Sequence, residues 1–157
     1  MTETTRAGIF CRPAFYLLFA MGVLLAASCY SSSYQREMAA NTDLIAELAD
    51  KLGDYCQAGF TVDDRQVSSE EMGEFYYALK KARAFANMQK GEANRASYRD
   101  FVTMLDQYTA FVHAADEYRL AGHGEADKLA ALNAQHDAIK ATASRVRADL
   151  KSEEQKS

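Results

Sequence analysis

The chain has 157 residues, with 18 Lys and Arg against 22 Asp and Glu, a formal net charge of -4, one Pro, eight Gly and three Cys. That length suits one domain, and an apolar share of 48% is ample for a core, which excludes wholesale disorder. So little Pro and Gly excludes a turn-rich all-β protein, three cysteines exclude a disulfide-dense scaffold, and the acidic balance gives nucleic acid no footing.

Residues 1–28 read as a targeting segment. Arg6 and Arg12 precede an uncharged run from Pro13 to Ser28, PAFYLLFAMGVLLAAS, followed by Cys29 and the polar YSSSYQRE. A basic start, an apolar middle and a small-residue end form the pattern of a secretory signal. The end of the run, Leu25-Ala26-Ala27-Ser28-Cys29, resembles the lipobox of bacterial lipoproteins. It departs from the commonest form in having Leu at the fourth residue before the cysteine and Ala at the third.

The resemblance implies cleavage before Cys29, a lipid (palmitate among its acyl chains) carried at that residue, and a body exported to the bacterial cell envelope, facing the periplasm. Tyr30, where an Asp would hold a lipoprotein at the inner membrane, implies the outer one. The alternative is an uncleaved anchor: Pro13 to Tyr30 spans 18 residues, close to the ~20 that a membrane helix needs. Arg6 and Arg12 keep the N-terminus cytoplasmic in either case. Residues 29–40 then form the lipidated Cys and a polar tether. With Cys29 lipidated, Cys56 is expected as a small buried residue; with an anchor, a Cys29–Cys56 disulfide is the alternative.

The exported part, residues 41–152, reads as four helices. The first runs from Asn41 to Gly59, capped by Asn41 or Thr42, with Leu44, Ile45, Leu48, Leu52, Tyr55 and Cys56 on one stripe. FTVDDRQV is a loop from which Phe60 and Val62 plug the end of the core. Ser68 and Glu71 stand at capping-box spacing and start the second helix, whose stripe is Met72, Phe75, Tyr76, Leu79, Ala82 and Ala86. The third helix, 94–120, carries Tyr98, Phe101, Val102, Leu105, Tyr108, Val112 and Ala115.

Gly122-His123-Gly124 breaks the chain before a fourth helix. There Leu129, Leu132, His136, Ile139, Ala143, Val146 and Leu150 alternate spacings of three and four, the seam of an antiparallel bundle. The fold expected is all-α, an antiparallel up-down four-helix bundle after an N-terminal signal or anchor, with residues 153–157 as a frayed tail.

Candidate chemistry is sparse. His136 inside the seam suits a hydrogen-bonded core histidine better than a haem or metal ligand, since Glu-x-x-His pairs and Cys-x-x-Cys-His are absent. His113 and Asp116 share the spacing of half a metal site but suit surface pairing, and His123 falls in a turn. The serines sit in the tether and a helix cap, and neither a Gly-rich phosphate loop nor an HExxH site is present. The expectation is no catalytic residue, no metal, no cofactor and no enzyme.

Aromatic and charged side chains suggest two surfaces. Tyr77, Phe85 and Met88 lie off the stripe of the second helix, and Met104, Phe111 and Tyr118 lie on a second face of the third. Two apolar faces mean either a central buried helix or a groove for a partner. Lys80, Lys81, Arg95 and Arg99, assigned to the end from which the tether leaves, form a candidate face towards anionic lipid.

The function expected is a non-catalytic envelope lipoprotein. It is held to the membrane by lipid on Cys29 or by an N-terminal helix, and its bundle binds or stabilises another envelope protein. One alternative is an inner-membrane accessory subunit on an uncleaved anchor. Another is a bundle that binds a small ligand, haem or metal through His136 or the tyrosines.

Overall fold

The structure, a computed structural model, describes residues 12–121 and 126–156, with side chains from Ser33 onward. It is an all-α four-helix bundle: α1 (Arg12–Gln57), a two-stranded hairpin of β1 (Thr61–Val62) and β2 (Arg65–Gln66), α2 (Ser69–Met88), a 3-10 turn (Lys90–Glu92), α3 (Ala96–Leu120) and α4 (Ala126–Glu154). Side-chain pairs fix the directions. Asp43 meets Arg147 and Asp50 meets His136, Asp100 meets Arg145 and Phe111 meets His136, and Arg83 meets Asp106 and Tyr76 meets His113, so α4 runs antiparallel to α1 and α3, and α2 antiparallel to α3. α4 packs most extensively against α3 and then α1, while α2 lies more lightly on α1 and α3.

The expected tether is corrected at once. Residues 33–40 are helix, continuous with α1, and Tyr34 and Met38 are 2% and 0% exposed. Tyr34, Met38, Thr42, Ile45, Ala49, Leu52 and Cys56 are all buried, so the core stripe begins two turns earlier than the expected start. Asn41 and Thr42 are therefore mid-helix and cap nothing. The Asn41 amide donates to the Glu37 carbonyl (2.8 Å) and the Thr42 hydroxyl to that of Met38 (2.7 Å). Leu44, expected in the stripe, is 39% exposed and flanks it instead.

Other elements follow the sequence more closely, with two corrections: α4 continues through Glu153 and Glu154, which were expected in a frayed tail, and the expected loop FTVDDRQV holds a short hairpin. Ser68 caps α2: its hydroxyl accepts from the Glu71 amide (3.1 Å), and the Glu71 carboxylate accepts from the Ser68 amide (2.8 Å). The segment after α1 is a miniature hairpin with Asp63 and Asp64 at φ 49° and 61°, the left-handed pair that a two-residue type I′ turn demands. Phe60 also has positive φ (56°), a costly conformation for a bulky residue that its complete burial sustains. Its ring closes the core between Tyr55 and Tyr118, with Phe75 edge-on to Tyr55. The α4 seam is buried at Leu132, Ile139, Ala143, Val146 and Leu150 and half-buried at Leu129 and His136.

Candidate functional site

His136 is the most constrained of the polar groups singled out from the sequence. Its Nε2–H donates to Asp50 Oδ1 on α1 (2.7 Å), because a carboxylate only accepts. The ring lies nearly parallel to Phe111, centroids 6.0 Å apart. Its other edge rests on Gly53, where a Cβ would come within 3.3 Å of Nδ1, so glycine allows the close approach of α1 to α4. Lys140 adds a 3.1 Å ion pair to the same Asp50 oxygen. Partial burial works to raise the Asp50 carboxyl, but the bonds from His136 and Lys140 outweigh it and hold it below its ordinary value. The arrangement is a cross-brace between α1 and α4.

The remaining candidates separate from one another. Tyr76 and the exposed His113 make a T-shaped contact, with the hydroxyl 3.4 Å from Nδ1, while Asp116 is held by Arg119 (2.8 Å), so the two do not act together. Among the described residues, no group of three or more His, Cys, Asp or Glu side chains is placed to hold a metal ion. Cys56 is a free, buried thiol that burial pushes up to about 12, far from the thiolate a nucleophile needs. His123 and its flanking glycines lie outside the described residues. So do the side chains of 1–32, and with them Cys29, the residue expected to carry lipid.

The expected partner groove is corrected by burial. Phe85, Met104, Phe111 and Tyr118 are 5%, 0%, 0% and 6% exposed, because α3 is buried against α1, α2 and α4 together and needs apolar residues on more than one face. Only Tyr77 (64%) and Met88 (73%) reach solvent. They share the outer face of α2 with Lys81, whose ammonium lies 5.7 Å from the Tyr77 ring centre.

The basic surface is also redrawn. Lys80 and Lys81 are exposed but sit half-way along α2, away from Arg95 and Arg99 near the start of α3. Arg95 faces inward and pairs with both Glu92 and Glu153, and Arg99 donates to the Asn94 carbonyl (2.8 Å). The four cations therefore form no common patch.

In comparisons with known proteins no family model matches the chain, and no match is found among curated proteins or solved structures.

What the sequence reading missed lies at the Tyr34 end. The Ser97 hydroxyl donates to Glu153 Oε2 (2.8 Å), so the Tyr34 hydroxyl, 3.1 Å away, donates to Ser97 Oγ. The Ser97 amide donates to Glu153 Oε1 (3.2 Å), so a residue of α4 takes the place of the side-chain cap that Arg95 does not supply to α3. The Arg95 guanidinium lies over the Tyr34 ring, 4.9 Å from its centre. Burial pushes the Tyr34 hydroxyl up to about 12 and keeps it a donor. The signal was present: Tyr34, Met38 and Ile45 continue the heptad of α1 backwards through residues that polarity alone assigns to a tether.

Proposed function

We propose that this protein is a non-catalytic component of the bacterial cell envelope, lipidated at Cys29, whose periplasmic bundle binds another envelope protein. The observation that carries this reading is the placement of Tyr34 and Met38. The bundle core begins five residues after the lipobox cysteine on the same helix, so the folded body would sit flush with the membrane that the lipid enters. Polar groups suited to chemistry are engaged in interhelix bonds, His136 with Asp50 and Ser97 with Tyr34 and Glu153. For a partner, the outer face of α2 around Tyr77 and Met88 offers the exposed aromatic and methionine side chains that interfaces favour.

A second reading, an inner-membrane accessory subunit on an uncleaved anchor, is favoured by the continuity of α1 from Arg12 to Gln57. A rigid helix leading from an apolar segment into the bundle is what an anchor would use. Among the described residues no helix is long and apolar enough to cross a membrane, and the run 13–30 falls outside those whose side chains are described.

The intact mass of the detergent-extracted full chain decides between the readings. A product beginning at Cys29 with added acyl mass, lost in Cys29→Ala, supports the lipoprotein. An unprocessed mass in both overturns it in favour of the anchor.

A further inference from the structure

A groove of about 460 Å³ runs between the turns of α1 from Gln35 to Ala39 and the last turns of α4. Ala39 and Leu150 give it an apolar floor, and Arg36, Arg147 and Lys151 stand around it against one carboxylate, Glu154. Arg147 is already paired with Asp43 (2.8 Å). The exposed Arg36 and Lys151 side chains make no ion pair among the described residues, in contrast to the engaged cations Arg83, Arg95 and Arg145. Gln35, half-buried, completes the wall. A groove with unpaired cations at the rim and an aliphatic floor fits an oxyanion carried on an apolar body.

Its position narrows the choice of anion. α1 is one helix, so Arg36 lies about 9 Å along the axis from Tyr30, the last residue of the apolar run, at ~1.5 Å per residue. That is within the roughly 10 Å over which a charged membrane surface acts at moderate salt. We propose that this groove binds the phosphate of an anionic phospholipid headgroup, with Arg36 and Lys151 on the phosphate oxygens and the glycerol resting on Ala39 and Leu150. The inference builds on the reading that residues 1–32 hold the chain at a membrane. It replaces Lys80, Lys81, Arg95 and Arg99 as the lipid-facing cations.

The test is native mass spectrometry of the full-length protein in detergent, titrated with phosphatidylglycerol and, separately, phosphatidylcholine. Phosphatidylglycerol should be retained in preference, and the double substitution R36E/K151E should weaken that retention roughly tenfold or more, each cation near an anionic surface being worth about fivefold. K80E/K81E should leave it unchanged. The milder R36Q/K151Q, with helicity checked by circular dichroism, covers the case in which charge reversal disturbs folding.

Equal retention of the two lipids, or indifference to both Arg36/Lys151 substitutions, would overturn the proposal. Displacement of phosphatidylglycerol by an equal concentration of inorganic phosphate would overturn the lipid assignment in favour of a free anion. Membrane fractionation of the same variants separates this result from the attachment reading. If wild-type chain and variant both sediment with membranes without lipid selectivity, the groove fails and attachment stands. If selectivity persists in a chain that does not sediment, the reverse holds.

Discussion

At the hairpin end the bundle is closed by apolar rings, with Phe60 between Tyr55 and Tyr118 and Phe75 edge-on to Tyr55 (6.0 Å between centroids). At the Tyr34 end it is closed by a directed chain of hydrogen bonds, Tyr34 to Ser97 to Glu153, beneath the Arg95 guanidinium. Rings fill space and tolerate small shifts, since dispersion and the removal of apolar surface from water are non-directional. A hydrogen-bond chain fixes one register of three helices, because each member needs its partner at bonding distance or is left unsatisfied in the core. The apolar end accordingly supplies stability, and the polar end specifies how α1, α3 and α4 align where the chain leaves the proposed membrane attachment.

The largest effect expected is at the ring end. Phe60→Ala should cost roughly 3–5 kcal/mol, the range for a buried aromatic, less the relief of its positive φ. Urea unfolding gives the loss directly. Peptide-mapped maleimide labelling gives a second readout, since Cys56 is fully buried in the native wild type beside this plug, and should react much faster in the variant.

At the polar end, Glu153→Ala removes both the bond to the Ser97 hydroxyl and the cap on α3, and about 2 kcal/mol is expected. Tyr34→Phe should cost about 1 kcal/mol alone and little more in the Glu153→Ala background, because the chain is already broken. Additive losses would mean that the two residues act independently and would dissolve the contrast between the ends.

Ser68→Ala, which removes one half of the α2 capping box, should cost ~1 kcal/mol and leave the Tyr34 end unchanged by amide exchange. The smallest effect expected is on acid sensitivity at the hairpin end. The Arg65 guanidinium, 2.8 and 2.7 Å from the two Glu71 oxygens, and the Ser68 cap hold the Glu71 carboxyl well below the usual carboxylate range. A carboxyl so depressed contributes stability above its unfolded value, about 4.3, and the contribution drains away as the pH falls towards the folded value. Between pH 5 and 3 the urea midpoint of the wild type should therefore fall more steeply than that of Glu71→Gln. Parallel slopes would show that this exposed cluster is screened.

The fold was largely legible because its signals are local. The Ser68–Glu71 spacing, the three-four alternation from Leu129 to Leu150 and Gly59 after α1 each constrain the backbone within a turn or two. The start of α1 was misread because residues 30–40 are mostly polar. Tyr34 and Met38 are two apolar side chains in a stretch whose other residues need only face outward. The partner face stood open between two readings. Surplus apolar residues on α3 are equally consistent with a groove or with burial on several sides, and the packing of three neighbours chose burial. Of the six residues, Tyr77 and Met88 remain exposed because α2 has no helix on its outer side.

The sequence by itself determined that this chain is helical, roughly where its helices lie and which stripe each buries, since periodicity and caps act within one element. Only the tertiary structure decided which polar groups meet. His136 with Asp50 and Gly53, Glu153 with the start of α3, and Arg36 beside Lys151 join residues more than fifty positions apart. Their distances follow from how four helices settle against one another, which no local pattern encodes.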